Sequence, residues 1–469
     1  MTSMDDCRLC CPLSLTLDSQ LDELYDEIEG FNDKNVSIRP NSYNFLRHLA
    51  FSPSGHQILT VNDFQDVSIH SLEGDYSSMH YYQAGNGAQL PSLSLSRTSS
   101  FHLPEAFSDI VWHPDVTSSR VAASVRDQPI HLYSSTGHVL QSYTSLDMED
   151  IEHHQSLLFH PCGHLLYAGS EKKINIFNVE QGGKPIQSVS TVNTKMQDYG
   201  IVFGQKGLIA CLAHRPDPTC ASSTYAAGCF DGSVGIYDDS ISESAMNITG
   251  LKYAVNCVRW SRCGNYLFVS GMYLHPTYIY RSLYVLHMKV SIYIIACYLL
   301  FGLYNYMCIG RKHNSIDCYD VRSRLSVVGK LPRTHSSMQR CTFDLDPWTR
   351  LLTTGDEKHQ LLTYDTLTYS LVHNMQCKEM VNSVSYHPYA SVLAIGMGSR
   401  HFIDAYSSSD SDSDRGDADT PKKDVERAGY SGISLLSLPS QRLAYPAEEK
   451  EPEQAVDSSA ETNNDMMME

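Results

Sequence analysis

The sequence is poor in charged residues, in tryptophan and in the short motifs that mark catalysis. Charged residues make up 19% of the 469 residues, and tryptophan occurs three times. A Walker loop, a dinucleotide-binding fingerprint and a His-Glu-x-x-His sequence are all lacking, which argues against the commonest nucleotide- and zinc-dependent enzymes. The first residues show no basic segment followed by an apolar stretch, so we expect no secretory signal.

The 14 cysteines form no regular framework. We therefore interpret them as reduced thiols in a cytosolic or nuclear protein. The clustered thiols of Cys7-x-x-Cys10-Cys11 lack a second pair of ligands at zinc-finger spacing, so we expect no metal site and no cofactor. His113, His160 and His387 recur at one position of a repeat described below, which indicates a structural turn and not acid–base chemistry.

The excess of acidic residues is confined to the two ends of the chain. The formal net charge is −18, of which residues 1–40 carry −6 and residues 404–469 carry −10. The body, residues 41–403, therefore carries only −2. The overall charge does not argue against RNA, provided that binding uses a local basic patch.

Both acidic ends differ in composition from the body. In residues 1–40, apolar side chains recur at three- and four-residue steps from Leu13 to Ile28, which predicts a short amphipathic helix for a partner groove or for the chain's own body. Residues 404–469 form a low-complexity tail that we expect to be disordered. The tail contains an apolar island at 433–438 that suits a closing strand, and a Ser/Asp run suited to an acidophilic kinase at Ser407, Ser408, Ser409, Ser411 and Ser413.

A repeated signature runs through the body. It consists of an aromatic residue, any residue, proline and a turn, followed by an apolar strand, as in Trp112-His-Pro114. A further strand then ends in an aromatic and a polar residue, as in Tyr237-Asp238, after the hairpin turn at Asp231-Gly232. The residues that mark the repeat are Pro53, Trp112, Pro114, Pro161, Asp231, Gly232, Tyr237, Asp238, Tyr319, Asp320, Asp344, Pro347, Asp365 and Pro388.

The spacing of the repeat predicts the fold class. The polar residue that closes each strand falls at 71, 134, 178, 238, 320 and 365, and a WD-type blade needs roughly 40–45 residues. We interpret the Ser-rich residues 74–104 and the Gly-rich residues 181–207 as loops that lengthen two units. With a seventh unit from Val381 to Phe402, the sequence predicts an all-β, seven-bladed WD-repeat β-propeller.

One segment does not fit the repeat. Residues 272–309 contain eight of the 29 tyrosines and no acidic residue, and 290–309 are uncharged. Their length and hydropathy would suit a membrane span, but a span inside a blade would separate the two halves of the ring. Removing the 38 residues restores a normal spacing, so our hypothesis is a retained intron. A lineage-specific insertion and a membrane anchor are the alternatives, and we expect no membrane partner.

Several strings in the body resemble the telomerase Cajal body protein family. They are Phe45 to Thr60, Arg126-Asp-Gln-Pro-Ile-His131, Gly310-Arg-Lys-His313 with Asp317 to Arg322, and Arg340-Cys-Thr-Phe-Asp-Leu-Asp-Pro347. The resemblance covers about 45–403. Tyrosine stands where the family has the tryptophan of Trp-Asp, and the family's long Pro-rich N-terminal region is lacking.

The resemblance implies a non-catalytic RNA-binding adaptor. Such a protein would recognise small Cajal-body box H/ACA RNAs and telomerase RNA, associate with their ribonucleoproteins and with Cajal-body proteins, and support telomere maintenance in the nucleus. A propeller rim suits this role, because its loops present rings for stacking and cations for phosphates. Our RNA-binding candidates are Arg126, Lys172, Lys173, Arg311, Lys312, Arg322 and Arg400. An exposed solubilising charge is the alternative for each, and a generic WD-repeat scaffold is the alternative for the whole protein.

Overall fold

Seven small antiparallel sheets arranged as a ring form the structure, a computed structural model. It describes residues 45–74, 94–193, 203–216, 224–239, 241–251, 253–272, 314–323, 325–335, 339–347, 350–390, 392–399 and 432–437. Those residues contain strands and turns and no helix. The predicted all-β, seven-bladed propeller is thereby confirmed.

Each of the first four blades is a meander of four strands. Blade 1 comprises β1 (Leu46–Phe51), β2 (Gln57–Asn62), β3 (Asp66–Glu73) and β4 (Ser94–His102), and blade 2 comprises β5 (Phe107–Trp112), β6 (Val121–Val125), β7 (Ile130–Tyr133) and β8 (Val139–Tyr143). A hairpin of β9 (Leu146–Asp147) and β10 (Asp150–Ile151) precedes blade 3, which comprises β11 (Ser156–Phe159), β12 (Leu165–Gly169), β13 (Lys173–Asn178) and β14 (Gln187–Ser190). A second hairpin, β15 (Val192–Asn193) and β16 (Phe203–Gly204), precedes blade 4, which comprises β17 (Ile209–His214), β18 (Thr224–Cys229), β19 (Ser233–Asp238) and β20 (Ile241–Ile248).

The remaining three blades complete the ring. Blade 5 comprises β21 (Ala254–Trp260), β22 (Tyr266–Met272), β23 (Ser315–Asp320) and β24 (Ser326–Pro332). Blade 6 comprises β25 (Phe343–Leu345), β26 (Leu351–Gly355), β27 (Gln360–Asp365) and β28 (Leu371–Gln376). Blade 7 has three described strands, β29 (Val381–Tyr386), β30 (Val392–Met397) and β31 (Gly432–Ser437), so the apolar island of the tail supplies a strand here.

Two segments interpreted as loops contain strands. Residues 74–104 include β4, which pairs with β3, and residues 181–207 include β14, which pairs with β13. These outer strands have one exposed side and are rich in serine, so they lack the apolar run by which we detected the second and third strands. The loop interpretation was therefore wrong for both segments.

The repeated residues join neighbouring blades. The indole Nε1 of Trp112 donates to Ala50 O of blade 1 at 3.1 Å, and Trp260 donates to Ala213 O of blade 4 at the same distance. The closing polar residue caps the following turn, because Asp320 and Asp365 each accept a hydrogen bond from the backbone N–H two residues on, at 2.9 Å. The hydrophobic cores lie between blades, and the one between blades 7 and 1 includes residues of β31.

Tyrosine occupies the position of the tryptophan in the Trp-Asp sequence of WD repeats. Tyr237, Tyr319 and Tyr364 are each less than 5% exposed. The hydroxyl of Tyr237 donates to Gln205 Oε1 at 2.8 Å, and that of Tyr364 donates to Pro332 O. The substitution therefore leaves no buried hydroxyl of Tyr237 or Tyr364 unsatisfied.

The histidines of the repeat have a structural function. The Nδ1 atoms of His113, His160 and His387 accept hydrogen bonds from backbone N–H groups two residues on, at 3.0–3.2 Å. Burial lowers the pKa of His113 and of His160, which favours the neutral ring that this acceptor role requires.

Gly232 gives a test of the hairpin turn between β18 and β19. Gly232 and Gly250 have nearly equal φ values, +80° and +79°, but a Cβ on Gly232 would lie 2.2 Å from Leu251 O, whereas one on Gly250 would meet nothing within 4 Å. We expect Gly250→Ala to lower the free energy of unfolding by about 1 kcal/mol, and Gly232→Ala by a further ~1 kcal/mol or more. Denaturant unfolding of both variants checks this, and equal losses would contradict the close approach.

Candidate nucleic-acid interface

The connections of the ring divide between two faces. Because each blade is an antiparallel meander, the turns between its first and second strands and between its third and fourth strands lie at one end, the turn face. The turns between second and third strands, and the links from blade to blade, lie at the other end, the connection face. Contacts between blades agree with this division, since Arg215 Nε in the first turn of blade 4 donates to Gly264 O in the first turn of blade 5 at 2.9 Å.

Three of the candidate cations lie on the connection face. Arg126 begins the turn between β6 and β7, and its side chain is 71% exposed, with Asp127 at 3.8 Å as ion-pair partner. Lys172 occupies the corresponding turn of blade 3, and its Nζ lies 2.7 Å from Glu171 Oε1. Both pairs join adjacent exposed residues, and such pairs add little stability, so a phosphate can compete for these cations.

Lys173 is held in a buried network. Its Nζ lies 3.1 Å from Glu152 Oε1, and Asn175 Nδ2 donates to Glu152 Oε2 at 2.8 Å. Glu152 is 8% exposed. Burial tends to raise the pKa of Glu152, but hydrogen bonds from Ser170, Lys173 and other groups outweigh it and hold that pKa below its usual value. Lys173 therefore compensates a buried carboxylate.

Arg322 lies apart from the other three, on the turn face. It follows β23, and its Nη2 donates to Asp320 Oδ2 at 3.0 Å and to Tyr266 OH at 3.1 Å. The guanidinium carbon lies 5.4 Å from the centre of the Tyr266 ring. The hydrogen bond from Arg322 lowers the pKa of Asp320. Arg322 thus braces its own blade.

Arg311, Lys312 and Arg400 lie outside the described residues. The same holds for the Ser407–Ser413 run, for the predicted helix of the N-terminal segment and for nearly all of 272–309. Within the described part of the chain no helix is long and apolar enough to cross a membrane, and no group of three or more His, Cys, Asp or Glu side chains is arranged to hold a metal ion.

Two paired strands of blade 5 flank the anomalous segment in the chain. β22 and β23 pair directly, with Tyr266 opposite Asp320 and Val269 opposite Asp317, although residues 273–314 separate the two strands in the chain. The end of β22 and the start of β23 lie at the connection face. Because β22 and β23 pair directly, we expect their pairing to be independent of the segment.

Deletion of residues 273–309 tests this independence. The linker between β22 and β23 shortens about eightfold, which lowers the entropy cost of closing it, so we expect stability to be unchanged or to rise by up to about 2 kcal/mol. Thermal and denaturant unfolding measure the change. A Gly/Ser replacement of equal length separates the effect of length from that of composition, and a destabilised deletion variant beside a stable replacement would show that loop length matters to the blade.

Sequence reasoning missed a group of charged side chains in the central channel. Asp109 of β5 accepts a hydrogen bond from Leu157 N of blade 3 at 2.9 Å, and Arg340 Nη1 of blade 6 lies 3.4 Å from Asp109 Oδ1. Blades 7 and 1 separate blade 6 from blade 2, so this ion pair spans the channel. Asp344 of blade 6 also accepts from the next blade, from Tyr386 N at 2.9 Å, and it pairs with Arg259 of the neighbouring blade 5 at 3.7 Å.

These carboxylates pair with backbone groups at the open edges of the innermost strands. The innermost strand of each blade has one edge without a neighbouring strand, and its backbone groups need other partners. Asp109 and Asp344 supply them to the next blade, and Ser383 Oγ does so by accepting from Leu49 N at 3.0 Å, which closes the ring. Burial raises the pKa of Asp109 and of Asp344, and the nearby arginines offset part of the rise.

Three arginines of the channel also act on His48. Burial lowers the pKa of His48 to about 3, and the positive charges of Arg340, Arg259 and Arg47 add to the effect. Arg47 lies over the ring of Phe107 at 4.8 Å and is 36% exposed. The only signal for this group in the sequence was the family-like string from Arg340 to Pro347.

The ring of seven blades, with its inter-blade aromatics and capped turns, defines a WD-type β-propeller whose connection face carries exposed cations. No protein-family model matches the chain. The chain is similar to telomerase Cajal body protein 1 of Mesocricetus auratus, with 24% identity over 396 residues, which cover 81% of this chain and 63% of the relative. The Mus musculus protein of that name is 24% identical over 79% of this chain and 62% of its own length, and the Homo sapiens protein is 23% identical over 78% and 59%.

The resemblance to the telomerase Cajal body proteins is thereby confirmed. The chain spans about three fifths of the length of these relatives.

Proposed function

We propose that the protein is a non-catalytic adaptor that binds box H/ACA small Cajal-body RNAs, and telomerase RNA, through the connection face of its propeller. In this role it directs these ribonucleoproteins to nuclear Cajal bodies and supports telomerase assembly. The observation that carries the proposal is the similarity to relatives named for telomerase and the Cajal body, over about four fifths of the chain.

The placement of the cations supports the connection face as the binding surface. Arg126 and Lys172 lie on neighbouring blades, are more than half exposed, and are paired with adjacent residues that are themselves exposed. Arg311 and Lys312 precede the first residue of β23 by four and three residues in the sequence, and we include them in the proposed site. Arg400 follows the last residue of β30 by three residues in the sequence, and it is included for the same reason.

Two of the sequence candidates are given other functions. Lys173 compensates Glu152, and Arg322 is bound to Asp320 and Tyr266 on the opposite face. A guanidinium or ammonium group that already has good partners gains less from a phosphate, because the existing pair must first be broken. The proposed site therefore consists of Arg126 and Lys172 with the three cations outside the described residues.

UV crosslinking followed by sequencing of the bound RNA tests the proposal. We expect H/ACA-type small RNAs to be enriched over their cellular abundance. Recovery of proteins without any enriched RNA would contradict the proposal and favour a WD-repeat scaffold for protein partners.

A further inference from the structure

The hairpin between blades 2 and 3 exposes an unusual set of side chains. Residues 146–151 are all exposed, and three of them are apolar and three acidic: Leu146, Asp147, Met148, Glu149, Asp150 and Ile151. The three apolar side chains are exposed by 51%, 95% and 38% in chain order. Single exposed apolar residues are common, but three within six residues on one hairpin are a candidate contact surface.

The hairpin is rigidly mounted. At its base Glu152 N donates to Ser145 O at 3.0 Å, and both residues are buried. The buried network of Glu152 with Lys173 and Asn175 fixes the base to β13, and Ser124 Oγ donates to His154 O at 2.6 Å, which fixes it to β6. The exposed tip therefore stands on a base that is held by two blades, so binding costs little entropy in the backbone of that base.

Met148, at the tip of the hairpin, has a backbone conformation that is unfavourable for methionine. Met148 has a φ of +56° at the first central position of a two-residue turn, where glycine is the preferred residue. A non-glycine residue there costs of order 1 kcal/mol. The result is a methionine side chain that is 95% exposed, and methionine adapts readily to irregular apolar pockets.

The charges of the hairpin indicate what the partner must offer. Asp147 and Asp150 lie directly opposite each other across the two strands, and Glu149 lies between them. Like charges in opposed positions are destabilising, and in the described part of the chain no Lys, Arg or His lies within ion-pair distance of these three carboxylates. A cation from outside would relieve the repulsion, whereas the phosphates of an RNA would increase it.

We propose that the hairpin of residues 146–151 is a docking element for a protein partner, which receives Leu146, Met148 and Ile151 in an apolar pocket with lysine or arginine at its rim. This interaction is separate from the RNA contacts proposed above, since it uses acidic and apolar side chains. It would give the adaptor a protein-binding surface next to its RNA-binding cations on the connection face.

Photo-crosslinking tests the proposal in the full-length protein in its own cells. A benzophenone amino acid replaces Met148, and, as a control for general exposure, Leu367, which is 59% exposed in a turn of blade 6 on the opposite face. We expect position 148 to crosslink to a protein that position 367 does not reach. The crosslinked peptide, sequenced by mass spectrometry, should contain apolar residues flanked by Lys or Arg.

Two sets of substitutions separate the features of the hairpin. Asp147→Asn with Asp150→Asn keeps the apolar tip, relieves the repulsion and should not lower the melting temperature, yet we expect it to reduce the crosslink at least about fivefold. Leu146→Ser with Ile151→Ser should reduce it similarly. The proposal would be overturned if position 148 gave the same crosslinks as position 367, or crosslinks only to RNA or to a second copy of the chain. A partner peptide without basic residues, or no effect of the asparagine substitutions, would also overturn it.

Discussion

Replacing Asp109 by alanine is expected to lower the free energy of unfolding by about 3 kcal/mol. The carboxylate is 7% exposed, accepts from Leu157 N at 2.9 Å, and faces Arg340 at 3.4 Å across the channel. Alanine leaves both a buried N–H and a guanidinium without this partner. Denaturant unfolding, followed by circular dichroism, measures the loss.

Two further variants identify the cause of that loss. Asp109→Asn keeps an acceptor oxygen for Leu157 N but removes the charge, so it should cost less than alanine. In a double-mutant cycle, Asp109→Ala is combined with Arg340→Met. The double variant should lose less stability than the sum of the losses of the two single variants, because each single change leaves the other partner uncompensated. Additive losses would show that the pair across the channel contributes nothing to the closure of the ring.

Reversing the charges of Arg126 and Lys172 together is expected to weaken RNA binding by at least about tenfold. Each substitution to glutamate removes a cation from the proposed site and adds an anion. For a single strand, the slope of log affinity against log salt should fall by about 0.7 for each phosphate that the protein no longer neutralises. Fluorescence anisotropy with a box H/ACA small RNA, at several salt concentrations, measures both quantities.

A matched charge reversal separates local contacts from the overall charge. Lys184 is exposed in the turn between β13 and β14, on the other face of blade 3, and Lys184→Glu changes the net charge by the same amount for each residue replaced. We expect this control to leave affinity nearly unchanged at physiological salt, where screening acts over about 8 Å. Equal losses in the control and the double variant would contradict a localised site. The melting temperatures of both variants should match that of the wild type.

The repeat made most of the fold predictable from the sequence. The aromatic-x-Pro signature and the Tyr-Asp endings locate the second and third strands, which are buried on both sides and are therefore apolar. The outer strands β4 and β14 were missed, since they are half-exposed and carry serine and glutamine. Their positions follow from pairing with the third strand, which local composition does not show.

The candidate site could be predicted only in part, for a related reason. Arg126 and Lys172 were recognisable because they fall in turns, and turns are readable from sequence. Lys173 compensates Glu152, which lies 21 residues earlier in the chain. Arg322 lies on the opposite face because of the direction of the strand that it follows. Neither fact can be read from the local sequence. The channel pair of Asp109 and Arg340 joins residues 231 positions apart, and no local pattern marks such a contact.

The hairpin of residues 146–151 shows a second limit of sequence reasoning. Its length, two residues in each strand, is too short for an alternating pattern to be noticed, and its acidic residues read as an ordinary solvated loop. Only the pairing of Asp147 with Asp150 and the exposure of Met148 distinguish it.

Mapping which face of the propeller contacts RNA tests the proposed binding surface most directly. Wild-type protein is crosslinked by UV light to a box H/ACA small RNA, digested, and the peptides that carry nucleotides are identified by mass spectrometry. We expect these peptides to come from the turns of the connection face, around Arg126 and Lys172, and from the chain around Arg311, Lys312 and Arg400. Nucleotides confined to peptides of the turn face, such as the one containing Arg322, would contradict the proposed binding surface.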